Sequence, residues 1–299
     1  MAGVSGRAEK LRVAVIALAT AAAMPGLVSD DRVLLRALLD LGLAAEPVVW
    51  EDRHADWGSY RMCVIRSAWD YSYRREDFVG WARAAAGATQ LWNPLPLVEW
   101  NTHKRYLVDL EERGVSVVPT MVLEAGSPFD LAAVMAERGW TQAVIKAAVG
   151  QAGRYIRHVT PATLDEARAH LARLLPHEDM LLQPFVPGVG EHGELSLVFV
   201  EGEFTHAVRK RGAEGDFRVH DDYGGSVAVE APSDDELATG RAALAATEHP
   251  TLYARVDVVR GPDGRSMVME YEVVEPELFF RFSEGAAGRL AAAIARRLA

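Results

Sequence analysis

The sequence predicts an α/β fold in which an N-terminal doubly wound parallel sheet is followed by a second region of helices, strands and hairpins. Residues 11–18 form a short apolar run typical of a buried parallel strand, and an amphipathic helix is expected over residues 30–41. Further strands are expected at residues 45–50 and 62–66. This alternation of strand and helix predicts a parallel sheet, which binds its ligands at the carboxyl ends of the strands.

Composition limits the kinds of function that the chain can have. Its 299 residues, 49% of them hydrophobic, are enough for two or more domains with separate cores. The formal net charge of −10 argues against a nucleic-acid partner and against an anionic membrane surface. The single cysteine, Cys63, excludes an internal disulfide and a cysteine-built metal site, and its apolar surroundings predict a small buried residue.

An apolar stretch near the N-terminus, residues 11–24, has to be compared with a signal peptide. Its β-branched start, its alanine-rich continuation and the following Pro25 and Gly26 favour a strand that enters a loop. No later run approaches the roughly 20 apolar residues that a membrane span needs. We therefore expect a cytoplasmic protein with no membrane partner, and we expect it to form a homo-oligomer.

The strongest chemical signal is an acidic strand at residues 268–276. Apolar and acidic residues alternate there with the two-residue period of a strand, so Glu270 and Glu272 should project from one face. Residues 253–259 are expected to form the partner strand, which brings Asp257 beside them. At roughly 6 Å and an effective dielectric near 20, two such carboxylates repel by about 3 kcal/mol, which a bound cation offsets. The hairpin predicts a Mg²⁺ or Mn²⁺ site, although an exposed acidic edge balanced by arginines explains the same residues equally well.

A polar loop, residues 66–74, follows the third predicted strand. It mixes guanidinium, hydroxyl and aromatic groups at the edge where an α/β sheet binds its small molecule. We nominate Arg66 and Ser67, and more weakly Asp70 and Tyr71, as substrate contacts, because an arginine can form two parallel hydrogen bonds with a carboxylate. The alternative is a loop held in place by aromatic packing and ion pairs.

A lysine at a predicted helix start suggests an anionic ligand. Asn101 or Thr102 is expected to cap the helix, which leaves Lys104 in its first turn. A helix N-terminus already carries positive partial charge, so a lysine there is unfavourable unless an anion binds. Residues 115–122 should then form a strand that is broken at Pro119, where a second domain begins.

A second lysine ends the strand predicted at residues 143–146. Lys146 leads into a loop of small residues with Gly150, Gln151 and Gly153, whose backbone amides could surround phosphate oxygens together with the ammonium group. The loop lacks the end of a Walker A motif, and the chain has no dinucleotide fingerprint. Taken alone, this loop is a weak indication of a phosphate site.

An interdomain hinge is predicted at residues 180–186, where an apolar strand enters a linker stiffened by proline. The backbone amides of this hinge could face an adenine edge. A hairpin is expected to follow, with strands at residues 195–200 and 203–210, and its second strand ends at Lys210. A later loop contains Arg218.

The order of these parts resembles the ATP-grasp ligases, and within them the glutathione synthetase ATP-binding branch. In chain order the parts are Lys104, Lys146, the Gln183 and Pro184 hinge, Lys210, Arg255 with Asp257, and Glu270 with Glu272. No single motif is specific, but the resemblance spans nearly the whole chain. The segments at residues 66–73 and 270–280 are most similar to the cyclo-ligases that form D-cycloserine from O-ureido-D-serine.

The resemblance implies an ATP-grasp fold of three parts. These are an N-terminal α/β substrate domain at residues 1–103, a central α+β ATP-grasp subdomain at 104–184, and a C-terminal α+β subdomain at 185–299 that binds ATP and metal. It also implies the ligand contacts. ATP would contact Lys104, Lys146, Gly150, Gln151, Gly153, Gln183, Pro184, Phe185, Val186, Lys210 and either Glu191 or Glu194. Mg²⁺ or Mn²⁺ would contact Asp257, Glu270 and Glu272. Substrate contacts would be Arg66, Ser67, Asp70, Tyr71, Arg218 and Arg255, with Arg255, Lys146 and Lys210 catalytic.

The family chemistry has two steps, in which ATP phosphorylates a carboxylate and a nitrogen then attacks the acyl phosphate. The resemblance implies that here the nitrogen belongs to the same small amino acid, so that the attack closes a ring. Glu272 stands where glutathione synthetase has an asparagine, which adds one charge to the metal site. Leu195 and Ser196 stand where that enzyme has basic substrate-binding residues, which argues against a tripeptide product. The alternatives are a ligase that joins two molecules and a non-catalytic nucleotide-binding module.

Overall fold

The computed structural model describes residues 15–150, 153–213 and 224–299. Its described strands form three sheets, and each sheet draws its strands from one continuous stretch of the chain. The first sheet is parallel, whereas the other two are antiparallel and carry helices. The predicted combination of a parallel α/β domain with two α+β units is confirmed.

The first sheet lies between two layers of helices. Its strands are β1 (Ile16–Thr20), β2 (Ala45–Val49), β3 (Met62–Ile65) and β4 (Gln90–Trp92), in the spatial order β2-β1-β3-β4. Its helices are α1 (Ser29–Asp40), α2 (Arg75–Ala88) and α3 (Leu95–Asn101). Ile16 and Leu18 face Leu34 of α1, whereas Ala17 and Ala19 face Phe78 of α2. Both faces are covered, which explains why β3 and the first four residues of β1 are apolar instead of alternating.

The second sheet is antiparallel. Helix α4 (Tyr106–Glu112) precedes it, and its strands are β5 (Met121–Leu123), β6 (Ala143–Ala147), β7 (Arg157–Val159) and β8 (Met180–Pro184), in the order β5-β8-β6-β7. Helices α5 (Leu131–Glu137) and α6 (Leu164–Leu174) pack on it through a core that includes Leu131, Leu171 and Ile145.

The third sheet is the largest and contributes the acidic hairpin. After α7 (Gly188–His192), its strands are β9 (Glu194–Val200), β10 (Glu203–Arg211), β11 (Ser226–Val229), β12 (Tyr253–Arg260) and β13 (Ser266–Glu272). Their order is β11-β10-β9-β12-β13. Helix α8 (Asp234–Ala245) lies between β11 and β12 in the chain, and α9 (Ala286–Leu298) follows β13 as the last described helix. Tyr106 and Leu110 of α4 pack against Leu197 and Val256, so α4 belongs to the core of this sheet rather than that of the second.

Asn93 joins the first sheet to the third. Its Nδ2 donates to the carbonyls of Tyr253 at 2.9 Å and Val273 at 2.6 Å, and its Oδ1 accepts from the amide of Leu252 at 2.6 Å. The Tyr253 hydroxyl donates in turn to the carbonyl of Ile65 at 2.7 Å. These groups are buried, so loss of Asn93 would leave several polar atoms without partners.

The helix cap expected at Asn101 or Thr102 is wrong. Asn101 ends α3, and α4 begins only after Arg105. The Asn101 side chain is instead used by the third sheet: its Nδ2 donates to the carbonyl of Tyr271 at 2.7 Å, and its Oδ1 accepts from the amide of Val273 at 3.0 Å. A side chain that satisfies a strand backbone is not available to cap a helix.

The segment at residues 115–122, which was predicted to form one strand, also differs from the prediction. Only Met121–Leu123 pairs as a strand, while Val117 forms a single parallel bridge with Val268. This segment therefore runs along the acidic hairpin before it enters the second sheet. Among the described residues, no helix has the length and the apolar character needed to cross a membrane.

Candidate active site

Three carboxylates meet on the hairpin of β12 and β13. The strand register pairs Asp257 with Glu270 and Arg255 with Glu272, and a bulge leaves Met269 without a partner in the ladder. Carboxylate oxygens of Asp257, Glu270 and Glu272 lie within 4.8 Å of one another. We call these three residues the acidic cluster. Oxygen ligands at this separation are of the kind that Mg²⁺ or Mn²⁺ takes in proteins.

Two buried cations hold Asp257. Arg255 Nε lies 3.0 Å from its Oδ1, and Lys210 Nζ lies 3.1 Å from its Oδ2. Arg255 also reaches Glu272 at 2.5 Å, and Lys210 forms an ion pair with Glu194. Burial alone would raise the pKa of Asp257, but Arg255 and Lys210 outweigh that effect and hold this pKa well below its usual range. Asp257 is therefore ionised at any physiological pH.

Two lysines from separate elements share the Glu270 carboxylate. Lys104, between α3 and α4, lies 3.0 Å from it, and Lys146, on β6, lies 3.4 Å from it. Burial lowers the pKa of both ammonium groups, but Glu270 raises that of Lys104 above its ordinary value. Lys146 keeps a lowered pKa because Lys104 adds repulsion to the burial. One carboxylate does not fully compensate two ammonium groups, so this corner of the site favours a further anion.

The pKa of Glu272 bears on whether the acidic cluster suits a divalent cation. Burial raises the pKa of Glu272, and the carboxylates of Asp257 and Glu270 add to this shift although Arg255 opposes it. Glu272 is thus the carboxylate of the acidic cluster whose negative charge is least compensated. A divalent cation would stabilise that charge, and the all-oxygen donor set fits Mg²⁺ or Mn²⁺.

A cavity of about 430 Å³ opens beside the acidic cluster. It lies where the first sheet, the Lys104 segment and the hairpin meet. Its wall consists of Trp69, Tyr71, Ser72, Tyr73, Asn101, Thr102, Lys104, Tyr106, Ala148, Gly150, Arg255, Glu270, Tyr271, Glu272, Glu275 and Glu277. A small molecule in this cavity would touch aromatic rings at one side and the charged groups of the cluster at the other.

Arg66 and Ser67, nominated as substrate contacts, are fully buried and do not line the cavity. Arg66 donates from Nε to Asp31 at 2.8 Å and from Nη2 to the carbonyl of Pro276 at 2.6 Å. The Ser67 hydroxyl donates to the other Asp31 oxygen at 2.7 Å. These contacts correspond to the alternative of a loop held by ion pairs, and they leave no guanidinium fork for a substrate carboxylate.

The two weaker nominees of the same loop have different positions. Asp70 accepts from the indole of Trp50 at 3.0 Å and pairs with Arg74, so it also stabilises the loop. Tyr71 lines the cavity and stacks on Phe78 with ring centroids 5.1 Å apart. Of the four nominated loop residues, Tyr71 is therefore the one placed to touch a ligand.

The predicted hinge lies where β8 ends. Gln183 and Pro184 pair with β6, and Val186 is buried just beyond them. Phe185 stacks on His158 of β7, with ring centroids 4.2 Å apart. The hinge is thus attached to β6 and β7 of the second sheet and is separate from the cavity wall.

The glycine loop after Lys146 is described in part. Gly150 lines the cavity, and Gly153 has a φ of +72°, a conformation that favours glycine. Arg154 follows and donates to the carbonyl of Val149 at 2.9 Å. Gln151, predicted to contact ATP, and Arg218, predicted to contact substrate, lie outside the described residues.

Glu191 and Glu194, the alternatives for the ribose contact, have contrasting surroundings. Glu194 is buried, and burial raises its pKa to about 7 although Lys210 opposes the shift. Its carboxylate is already engaged by Lys210. The Glu191 side chain is 67% exposed in α7. Glu191 is therefore the one of the two with a carboxylate open to a ligand.

Two acidic residues of the cavity wall, Glu275 and Glu277, were not predicted as site residues, and neither was the aromatic wall of Trp69 and Tyr73. The signal for Glu275 was present, because it lies within the acidic segment predicted at residues 268–276, directly before Pro276. The strand period ends at Glu272, so the pattern could not show on which side Glu275 would point.

Comparison with solved structures defines the class of fold. The ATP-grasp ligase PsnB, in complex with a precursor variant, Mg and ADP, matches with a TM-score of 0.68 at 15% identity, over 96% of this chain and 99% of that one. A D-alanine–D-alanine ligase from Bacillus anthracis in complex with ATP matches with a TM-score of 0.66 at 13% identity, over 95% and 96%. The chain has the ATP-grasp fold, as the sequence predicted.

Closer relatives define the family. Residues 16–93 match the family described as D-cycloserine synthetase DcsG, N-terminal domain. The chain is 37% identical to the cycloserine biosynthesis protein DcsG of Streptomyces lavendulae over 297 residues, which covers 95% of this chain and 99% of that protein. The crystal structure of D-cycloserine synthetase DcsG matches with a TM-score of 0.87 at 35% identity, over 95% and 99%. The chain belongs to the DcsG family and is an ATP-dependent ligase.

Proposed function

We propose that this ligase activates the carboxylate of O-ureido-D-serine with ATP and closes the ring of D-cycloserine by attack of a nitrogen of the same molecule. The observation that carries the proposal is the 37% identity to a cycloserine biosynthesis protein over nearly the full length of both chains. The cavity supports it, because Arg255, Lys104 and two carboxylates of the acidic cluster, Glu270 and Glu272, line one small space.

The ATP phosphates are proposed to lie between Lys104 and Lys146. These ammonium groups come from different parts of the fold and share one carboxylate, so both can turn to phosphate oxygens without losing all compensation. Gly150 and Gly153 would approach the phosphates with their backbone. The adenine is proposed at the hinge of residues 183–186.

The remaining contacts of the nucleotide and metal follow the same logic. Glu191 is proposed for the ribose, since the Glu194 carboxylate is engaged by Lys210. The acidic cluster is proposed to hold Mg²⁺ or Mn²⁺, which would neutralise the charge of the phosphates. Arg255 is proposed to contact the transferred phosphoryl group and the substrate carboxylate, because it lies at the boundary of the cluster and the cavity.

The reaction is balanced as two steps and a release. A carboxylate oxygen attacks the terminal phosphorus of ATP, the bond to ADP breaks, and an acyl phosphate results. The ureido nitrogen bonded to oxygen then attacks the acyl carbon, loses its proton, and phosphate leaves. The ring nitrogen still carries the carbamoyl group, whose loss consumes one water and releases carbon dioxide and ammonia. The residues named above position the reactants and compensate their charge.

A small substrate is favoured over a peptide. Leu195 and Ser196, which replace basic substrate-binding residues of glutathione synthetase, are fully buried in β9. The cavity wall is instead closed by aromatic side chains of the Trp69–Tyr73 turn. Ligation of two separate molecules stays the alternative.

The test is to incubate the protein with ATP, Mg²⁺ and O-ureido-D-serine, and to measure ADP, phosphate and the mass of the product. We expect ADP release only when the amino acid is present, with D-cycloserine as the product. No release across a panel of ureido and hydroxylamine amino acids would contradict the proposal. An absolute requirement for a second amine would favour the two-molecule alternative.

The domain boundaries at residues 103–104 and 184–185 are proposed on the same basis. The strands of the three sheets fall within the three segments, although α4 packs on the third sheet. Formation of a homo-oligomer is also still a prediction. A measurement of the molar mass in solution would test it.

A further inference from the structure

The two lysines proposed to bind the ATP phosphates belong to different parts of the fold. Lys146 lies in β6 of the second sheet, whereas Lys104 precedes α4, which packs on the third sheet. Each ammonium group ends a flexible side chain, so the space between the two depends on how the backbones of their segments are held together. The contacts that hold the Lys104 segment against the second sheet therefore bear on the phosphate site.

A backbone connection links Lys104 to the strand that carries Lys146. The Lys104 amide donates to the carbonyl of Ala148 at 2.8 Å, and Ala148 lies two residues after Lys146. The Ala148 amide donates in turn to the carbonyl of Asp179 at 3.0 Å. Asp179 directly precedes β8, which pairs with β6. The Lys104 backbone is thus attached to the two central strands of the second sheet.

The His103 side chain makes a second connection to Asp179. Its Nδ1 accepts from the amide of Arg105 at 3.1 Å, so in the neutral imidazole the hydrogen is on Nε2. His103 Nε2 lies 3.2 Å from Oδ2 of Asp179 and donates to it. The imidazole therefore bonds to the residue that follows Lys104 and to the second sheet at the same time. These two bonds fix the backbone of Lys104, which lies between them in the chain.

Asp179 is the residue at which the two connections meet. Its carbonyl accepts from Ala148, and its carboxylate accepts from His103. The other carboxylate oxygen, Oδ1, accepts from the amide of Ala125 at 2.8 Å. Because this third bond holds the carboxylate in one orientation, His103 donates to an acceptor of fixed position.

The His103 imidazole is neutral in these surroundings. Burial lowers its pKa, and Arg75 and Arg105 lower it further, although Asp179 opposes the shift. A neutral donor adds no positive charge beside the two lysines, which already repel each other. His103 can therefore hold the segment in place without disturbing the charge of the phosphate site.

We propose that His103 and Asp179 are positioning residues, which hold the Lys104 backbone so that its ammonium group and that of Lys146 bind the phosphates of one ATP molecule. Both residues line a groove of about 620 Å³ beside the cavity, and neither lines the cavity itself. They therefore act through Lys104 and not by contact with the nucleotide. This inference rests on the phosphate position given under the proposed function, and it does not depend on which amino acid is the substrate.

A double-mutant cycle with Lys104 tests the proposal. The dissociation constant of β,γ-imido-ATP with Mg²⁺ is measured by calorimetric titration in the wild type, His103→Ala, Lys104→Ala and the double variant. We expect His103→Ala to weaken binding by about 10-fold, the lower end for loss of a hydrogen bond to a charged group. In the Lys104→Ala background the same substitution should change binding by less than about 2-fold, because the group that His103 positions is absent.

Two conservative variants separate the two hydrogen bonds of His103. His103→Gln keeps a donor at the distance of Nε2, so its affinity should stay within about 3-fold of the wild type. His103→Asn keeps only an acceptor near the position of Nδ1 and does not reach Asp179, so it should lose as much affinity as His103→Ala. Both variants retain most of the side-chain volume and carry the comparison if His103→Ala does not fold.

His177→Ala is the matched control. His177 is exposed and lines the same groove as His103 and Asp179. Its removal should leave the affinity for β,γ-imido-ATP unchanged. An equal loss of affinity in His177→Ala, or equal affinities of His103→Gln and His103→Asn, would overturn the assignment.

Failure of the proposed function would be visible separately. The titration contains no amino acid, so a protein that forms no D-cycloserine still gives a result. Wild-type affinity in Lys104→Ala, or no binding by the wild type, would contradict the proposed phosphate position and this inference together. A loss in Lys104→Ala with no loss in His103→Ala, or with the same effect of His103→Ala in both backgrounds, would overturn this inference alone.

Discussion

The positive and negative charges around Glu270 are unequal in number. Glu270 faces the ammonium groups of both Lys104 and Lys146, and the two lysines repel each other. Burial raises the pKa of Glu270, yet the two lysines hold it well below its usual range. The site is therefore arranged for an incoming anion that takes over part of the compensation.

Replacement of Lys146 by alanine should remove turnover while the protein stays folded. The ammonium group acts on the charge that develops on the transferring phosphate, and groups in that role are worth about 10²–10³ in rate. The readouts are ADP release and circular dichroism. Glu270→Gln should behave in the same way, whereas Arg157→Ala, which removes an exposed ion pair with Glu166, should retain activity. A wild-type rate for Lys146→Ala would show that the reaction centre lies elsewhere.

Glu275→Gln should become more stable relative to the wild type as pH rises. The folded state holds the pKa of Glu275 above the ordinary 4.5, so between these values the folded state binds a proton that the unfolded state has lost. Wild-type stability therefore declines through this range with rising pH, and the variant lacks that decline. Urea unfolding at pH 4 and pH 8 should show a difference, variant minus wild type, that grows with pH. A difference that is constant or shrinks would contradict the prediction.

At the scale of elements, the site depends on the close approach of β9 and β10. Gly193 precedes β9 with a φ of +77°, and a Cβ atom built there would lie 2.3 Å from the carbonyl oxygen of Lys210. Glu194 follows directly and pairs with Lys210. Only glycine allows this approach, so the turn sets the position of the buried ion pair.

Gly193→Ala should destabilise the protein by about 2–4 kcal/mol, because it combines an unfavourable φ with a clash against backbone. Gly190→Ala is the matched control, three residues earlier in α7, where no described atom lies within 4 Å of a built Cβ. That change should alter stability by less than about 1 kcal/mol. The free energy of unfolding in urea is the measurement, and equal effects of the two substitutions would count against this account.

How much of the site follows from sequence depends on the range of the interactions. Alternation within one strand was enough to place Glu270 and Glu272 on one face, and a short hairpin was enough to add Asp257. The bulge at Met269 depends on the pairing of two strands and was not predictable. Arg66 was misjudged because its partner, Asp31, is 35 residues away on a helix across the sheet.

At the scale of the whole molecule, the site requires all three sheets. Lys146 comes from the second sheet, the acidic cluster from the third, and the aromatic wall from the turn that follows β3 of the first sheet. A ligand that spans these elements connects parts that are distant in the chain, so it should stabilise the folded protein as a whole.

A non-hydrolysable ATP analogue with Mg²⁺ should raise the melting temperature by about 4 °C at roughly 100 times its dissociation constant. Lys104→Ala should reduce this shift, because Lys104 is proposed to contact the phosphates. Arg157→Ala again serves as the control. Differential scanning fluorimetry is the measurement, and an equal shift in the wild type and Lys104→Ala would argue against the proposed phosphate position.

The hydrogen bonds from Trp69 to Glu275 and from Arg66 to Pro276 also bear on recombination between relatives. A chimaera that exchanges the N-terminal half alone would place a foreign tryptophan and arginine against a resident C-terminal loop. Substrate preference should therefore not follow either half in such hybrids. It should transfer only when the aromatic turn and the Glu275 loop are exchanged together, as one unit that is split between the two ends of the chain.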